Sequence, residues 1–268
     1  MPEPYELFAL RYAVHRPRAA SDNFLDGDPH ESASPLDYFV WLARNSERIV
    51  LIDLGFTAES GQRRGRTFLR SPADGVRALG IDPLAIDTVI VTHFHYDHIG
   101  GHAGFPNATL HVQDREMAYA TGRFMTHPRL RAPYDADDVA ALVRAVYAGR
   151  VVFHEGDWEA APGIDCFLVG GHTLGLQIVR VTTRRGQVVL ASDAMHLYAN
   201  AAEGRPFPIV HDIGAMIEGW RRARELADSP DHVIPGHDPL VLERYPTPDE
   251  HIADLAQTPL RSAMNKPV

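Results

Sequence analysis

The sequence predicts an α/β protein, an αββα sandwich in which two mixed β-sheets pack face to face with helices flanking them. Two observations carry this. The apolar runs order as several strands, some helices, several more strands and a long helix, with successive strands often adjacent; that suits stacked mixed sheets better than a doubly wound parallel sheet. Neither GxGxxG nor GxxxxGK followed by Ser or Thr occurs, which removes the glycine-rich phosphate cradles of the main nucleotide-binding folds.

The first three strands are "YELFALRYAV", "LDYFVWLAR" and "RIVLIDLG", rich in aromatic and branched residues, the third closing on Asp53 and Gly55. Between the first two lies the polar stretch from Arg16 to Pro35, expected as a surface loop or lid, and Thr57 to Arg70 is expected to be a second such loop. "SPADGVRALG" is a helix: Ser71 caps it, Pro72 suits its first turn and Gly80 ends it. "DTVIVTH" and "ATLHVQ" are buried strands, "QDREMAYATG" a helix, and "DADDVAALVRAVYAG" a second helix with acids in its first turn. Strands follow at "RVVFHE", "IDCFLVGG", "LQIVRVTT" and "QVVLASD", the last two joined as a hairpin. "DIGAMIEGWRRARELA" is a helix with Ile213, Met216, Ile217, Trp220, Ala223 and Ala227 on one face. "HVIPGHD" is a last short strand.

The chain of 268 residues, 45% hydrophobic and 23% charged, reads as one globular domain over residues 1–268. A formal charge of -9 opposes binding to a phosphate backbone. The lone cysteine, Cys166, makes no internal disulfide and reads as a buried structural thiol, which fits a reducing compartment. The first residues lack a basic segment followed by a long apolar one, and no window reaches the length of a membrane span, so a cytoplasmic protein is expected.

The chemistry concentrates in "VTHFHYDHIGG", Val91 to Gly101. On extended backbone His93 and His95 face the same way and can grip one ion, while Asp97 and His98 follow the turn of the chain and aim at a neighbouring point. Gly100 and Gly101 allow close backbone packing there. Three further donors stand at ends of later strands: His172 in "VGGHTLG", Asp193 in "VVLASDA", which suits a bridging carboxylate, and His237 in "VIPGHDP". His102, His111, His127, His154, His211, His232 and His251 follow no ligand logic; His102 alone is close enough to the motif to support it.

This constellation resembles that of the metallo-β-lactamase superfamily, whose pattern HxHxDH followed by His, Asp and His is matched at every position, the likeness running from about Ile49 to His237. The resemblance implies the metallo-β-lactamase fold, the sandwich already expected. It also implies that His93, His95 and His172 hold one metal ion, that Asp97, His98 and His237 hold another, and that Asp193 bridges, with a hydroxide between the ions as nucleophile. Two divalent cations lower the pKa of a shared water and polarise a carbonyl together. Imidazole and carboxylate donors point to Zn2+, with iron, manganese and cobalt as alternatives. Asp53 resembles a position that supports the metal site from behind.

The phrases "LGIDPLAIDTVIVTHFHYDHIGG", "FPNATLHVQ", "GHT" and "SDA" resemble the branch containing the N-acyl homoserine lactonases. The activity implied is metal-dependent opening of a lactone, with Asp97 passing a proton to the leaving alkoxide. The alternatives are thioester hydrolysis of the glyoxalase II type and phosphodiester or nucleic-acid hydrolysis, for which Arg63, Arg64, Arg66 and Arg70 could supply positive charge. The expected partners are a small-molecule lactone or ester and a second copy in a homodimer, with neither nucleic acid nor membrane. Phe24, Leu25, Phe68, Phe124 and Met125 are candidates to line an acyl pocket. The chain departs from the lactonase pattern at one position: a tyrosine is usual three residues after the bridging aspartate, and "SDAMHLYAN" puts His196 there, with Tyr198 two residues on. Either side chain could donate a hydrogen bond to the developing oxyanion.

Overall fold

The computed structural model describes residues 2–28, 30–32 and 34–260. Residues 29 and 33, within the first expected loop, and 1 and 261–268, within the expected domain, lie outside the described part. The first sheet contains β1 (Glu6–His15), β2 (Leu36–Arg44), β3 (Ile49–Ile52), β4 (Thr67–Phe68), β5 (Thr88–Ile90), β6 (Thr109–Gln113), β7 (Val151–His154) and β13 (Ile252–Asp254). Its order is β13-β1-β2-β3-β5-β6-β7, with β4 paired to β1. The pairs from β13 to β3 are antiparallel and those from β3 to β7 parallel. The second sheet is β12-β11-β10-β9-β8, built from β8 (Trp158–Ala161), β9 (Ile164–Leu168), β10 (Gln177–Thr183), β11 (Gly186–Ser192) and β12 (Val233–Pro235), with only β11 and β12 parallel. Two mixed sheets flanked by helices are what the sequence predicts.

The unbroken apolar runs have a direct cause: both faces of the central strands are buried, so the two-residue alternation feeds two cores. Leu7, Ala9, Phe39, Trp41 and Ala43 face the core between the sheets, where Cys166, Val179, Val181, Val188 and Leu190 meet them. Phe8, Leu10, Tyr12, Tyr38, Val40 and Leu42 face the outer core. There α2 (Pro72–Ala78) and α6 (Ala136–Tyr147) bury Val76, Val139 and Leu142. On the other side, α8 (Ile213–Leu226) lays Met216, Trp220 and Ala223 on Ile178, Val189 and Ala191. That stripe is narrower than predicted, for Ile213 and Ile217 are 46% and 44% exposed on the flank of the helix.

The expected loops are more structured than their composition suggests. Residues 57–70 form α1 (Ala58–Arg63), capped by the Thr57 hydroxyl accepting from the Ser60 amide, and then β4 on β1. The first loop buries Ala20 and Phe24 in a small apolar cluster with Leu36, Leu197 and Phe207. The pattern also missed β8, β13 and the short helices α5 (Pro128–Arg131), α7 (Tyr198–Glu203) and α9 (Leu240–Arg244). Among the described residues no helix is long and apolar enough to cross a membrane.

Candidate metal centre

The site forms where chain segments leave the strand ends of both sheets. After β5 the backbone runs through Thr92 to His95 and enters α3 (Tyr96–Ile99), which carries Asp97 and His98. Two strand ends turn through backbone rare for residues with a side chain: Asp53 after β3 has φ 64° and Ser192, the last residue of β11, has φ 44°. Gly101 packs so closely that a Cβ there would lie 2.0 Å from the Leu54 carbonyl oxygen, which accounts for the second glycine after the motif.

All seven residues assigned to metal by resemblance, His93, His95, Asp97, His98, His172, Asp193 and His237, are buried and come together. They divide into His93, His95, His172 and Asp193 on one side and Asp97, His98 and His237 on the other, each set with donor atoms within 4.8 Å of one another. Asp193 faces both. Its Oδ2 lies 3.1 Å from His172 Nε2 and 3.6 Å from His93 Nε2. Its Oδ1 lies 3.0 Å from His237 Nε2 and 3.3 Å from His98 Nε2.

The donor set fits two cations on grounds internal to the molecule. His93 Nε2 and His98 Nε2 are buried with no hydrogen-bond partner, and His172 Nε2 and His95 Nδ1 face each other at 2.8 Å. Buried polar atoms left so, and ring nitrogens turned on one another, are costly unless a cation accepts their lone pairs. Burial, with neighbouring imidazoles second, pushes the His93 and His95 pKa values well below the usual imidazole range, keeping those rings neutral. Burial opposes the charge on Asp193, yet the surrounding histidines, His196 and His237 foremost, hold its carboxyl well below the usual range.

Outer hydrogen bonds fix the candidate ligand rings. His98 Nδ1 donates to Asp53 Oδ2 at 2.7 Å, and Asp53 also accepts from the Thr92 amide and hydroxyl at 2.7 and 2.8 Å, so it supports the site from behind. His172 Nδ1 donates to the Ile209 carbonyl at 2.7 Å and His237 Nδ1 to the Asp37 carbonyl at 3.0 Å. The sequence reading missed Glu116 on α4 (Asp114–Ala120). This buried carboxylate accepts from the Phe94 amide, the Thr173 hydroxyl, the Gly175 amide and the Tyr134 hydroxyl, tying the His93–His95 segment to the His172 turn. The close approach of Gly175, where a Cβ would lie 2.2 Å from the Glu116 nitrogen, is its one trace in the sequence, a glycine two residues past Thr173.

The two candidates for the oxyanion separate. His196 lies in the cluster, with Nε2 3.0 Å from Asp193 Oδ2 and its ring stacked on Phe207 at 3.5 Å. Tyr198 is outside the residues that line the cavity: its ring lies under the Arg244 guanidinium at 3.8 Å and its hydroxyl is buried without a partner. Turning with α7 takes it away from the cluster. His102 sits half-buried on the turn after α3 and joins neither donor set.

Above the cluster a small cavity of about 50 Å³ is lined by ligand residues with Arg18, Tyr38, Arg66, His196 and Phe207. It continues through Arg66, His95, Tyr96 and His172 into a groove of about 390 Å³ bordered by Arg64, Arg129, Tyr119 and His211. Of the expected acyl-pocket residues, none is among the residues lining these two cavities. Phe24 and Phe68 are packing residues, Leu25 is exposed, Phe124 packs behind on Tyr119 and His211, and Met125 lines a separate apolar cavity beside α6.

A family model described as the metallo-beta-lactamase superfamily matches residues 33–237. An N-acyl homoserine lactonase of Bacillus thuringiensis is 27% identical over 172 residues, 61% of this chain and 60% of the relative, so the chain matches about three fifths of that protein's length. The N-acyl homoserine lactonase AiiB of Agrobacterium fabrum is 29% identical over 217 residues, 74% of this chain and 78% of the relative. Among solved structures, a quorum-quenching N-acyl homoserine lactone lactonase superposes with a TM-score of 0.72 at 22% identity, covering 89% of this chain and 94% of that one. The dizinc quorum-quenching lactonase AidC superposes at 0.69 with 17% identity, covering 89% and 90%. At such identities the structural likeness speaks for the fold.

Proposed function

The chain belongs to the metallo-β-lactamase superfamily, and from that premise we propose that it is a dinuclear metal-dependent hydrolase that opens the ring of a lactone of the N-acyl homoserine lactone type. The observation that carries this reading is the division of seven buried donors into two sets with one Asp193 oxygen turned to each. The first set would hold one divalent cation and the second another, zinc by donor chemistry, with Asp193 serving both. Such a pair supplies an activated water near neutral pH and Lewis-acid polarisation of the carbonyl.

The chain's own residues do the rest. Asp97, the ligand side chain most open to solvent at 10%, is the carboxylate placed to pass a proton to the leaving alkoxide. His196, held flat by Phe207 with its Nε2 3.0 Å from Asp193 Oδ2, is the side chain whose ring N–H would be left to the carbonyl oxygen as it becomes negative once a cation takes that carboxylate oxygen. The choice of a lactone rests on the curated relatives named above. Phosphodiester hydrolysis, the other reading, has Arg64 and Arg66 at the cavity in its favour; Arg63 and Arg70 pair instead with Asp135 and Asp249. A panel of lactones, thioesters, β-lactams and phosphodiesters, read by proton release with the metal-loaded protein, tests the proposal. Opening of a lactone is expected; phosphodiester turnover with every lactone intact overturns it.

A further inference from the structure

Four arginines line the two cavities beside the metal-ligand cluster: Arg18 and Arg66 over the cluster, Arg64 and Arg129 along the groove. That they are arginines carries nothing, since all but one of the chain's 26 basic residues are. Their lack of a carboxylate partner does. Arg11, Arg16, Arg63 and Arg70 each pair with a carboxylate, whereas among the described residues none of the four cavity arginines has a carboxylate within ion-pair distance.

The two inner guanidiniums are held in place by neutral groups. Arg18 donates to the Asn23 side chain and the Asp22 carbonyl, and Arg66 to the Tyr96 hydroxyl at 3.2 Å and to the Arg64 carbonyl. Between them lies His15, its Nδ1 3.1 Å from Arg18 and its Nε2 3.2 Å from Arg66. Burial, then Arg66 and Arg18, push its pKa down to about 4, so the ring is neutral and can accept from only one of the two. Two half-buried cations, fixed by neutral groups and facing no carboxylate outside the metal-ligand set at the mouth of a narrow cavity, match a bidentate anion. The acids of that cavity, Asp97 and Asp193, belong to the metal-ligand set.

We propose that this cavity selects substrates carrying, besides the scissile bond, an anionic group, a carboxylate or phosphate, gripped by Arg18 and Arg66. The inference rests on the hydrolase reading for the identity of the scissile bond, but the anion site is measurable without turnover. The probes are two ring-opened hydroxy acids: the one from γ-valerolactone, and the one from its analogue with a carboxylate in place of the methyl group. Calorimetric titration of metal-loaded protein is expected to show about tenfold or tighter binding of the doubly charged acid, the scale of one charge-assisted contact. The preference is expected to vanish in Arg18→Gln/Arg66→Gln and to persist in Arg63→Gln. An analogue bearing a phosphomonoester ranks phosphate against carboxylate. Equal affinities in the unsubstituted protein, a comparison that needs no variant to fold, overturn the anion site, as does a preference that survives the double substitution. Turnover of the parent lactones is scored separately: tight anion binding with every lactone intact leaves the arginine site standing and removes the lactone, and opened lactones with no charge preference do the reverse.

Discussion

The imidazole of His98 and the carboxylate of Asp53 meet across 2.7 Å, both shut off from solvent. Burial opposes the charge on His98, but Asp53, then Asp193 and Asp97, hold its pKa well above the usual range. The same carboxylate takes the Thr92 amide and hydroxyl, so one side chain at the end of β3 orients a ligand ring and the backbone leading to His93. Asp53→Asn puts an amide group before at least one donor and loses that orientation. Metal affinity is expected to fall about 10- to 100-fold, read by competition with a chelator; an unchanged affinity would remove Asp53 from the site.

Glu116 does the equivalent work on the other side. Its four donors come from Phe94, Thr173, Gly175 and Tyr134, and Glu116→Ala leaves them buried without an acceptor. A loss of about 3 kcal/mol or more is expected from several buried donors left unsatisfied, seen as a lower denaturant midpoint, together with weaker binding of the cation at His93, His95 and His172. A stable variant with full metal affinity would show that the network is dispensable.

The contrast between these two residues shows what could be read from the sequence. Asp53 follows an apolar run and stands two residues before a glycine, so its place at a strand end was visible, and the HxHxDH spacing displayed the candidate ligands because neighbouring residues of one segment build most of the site. Glu116 looks like any acid in a helical first turn; only the packing of α4 against the His172 turn gives it a role. The arginines behave likewise. Arg63 and Arg70 form ion pairs while Arg64 and Arg66 face the cavity, a division set by partners distant in sequence. The helix at residues 58–63 was missed for a different reason: its Thr57 cap is ordinary capping chemistry, but no apolar period follows it.

Stability is expected to fall in acid through two histidines outside the ligand set. Burial comes first in pushing both His15, which also faces Arg66, Arg18 and Asp22, and His154, which faces His111 and Asp114, down to about 4. The folded state therefore binds these protons less readily than the unfolded chain, where imidazole titrates at about 6.5. Their contribution is fully present above that pH and is lost as the pH falls to about 4. Thermal melts of the metal-free protein across that window should show a declining Tm, and His15→Gln with His154→Gln should flatten the decline. An unaltered slope would assign it to other groups.

Asp193 is the one side chain that turns a carboxylate oxygen to each donor set, so Asp193→Ala should lower the number of bound cations from two toward zero rather than to one. Elemental analysis after zinc loading and desalting reads this. In the unsubstituted protein, removing metal with a chelator should lower the Tm and returning zinc should restore it, because a ligand of the folded state stabilises by mass action. Retention of one tightly held ion in the variant would mean that the sets bind independently.

The last prediction separates His196 from Tyr198. His196 touches Asp193 and is fixed by the parallel face of Phe207, 6° from coplanar, so its ring reaches the cavity with little freedom to lose. Tyr198 lies under Arg244 with its hydroxyl buried and unpartnered, and a phenol in that position has nothing to donate to. Deleting one oxyanion donor costs on the order of 100-fold in kcat where it is fully engaged. His196→Ala is therefore expected to lower kcat at least about tenfold with metal content unchanged. Tyr198→Phe should leave kcat within about twofold and, by removing an unsatisfied buried hydroxyl, raise stability or leave it level. If Tyr198→Phe were the crippled variant and His196→Ala turned over normally, the tyrosine would have to swing from under Arg244 during catalysis. A loss of metal in His196→Ala would instead make His196 a ligand, in line with its grouping beside Asp193 and His237.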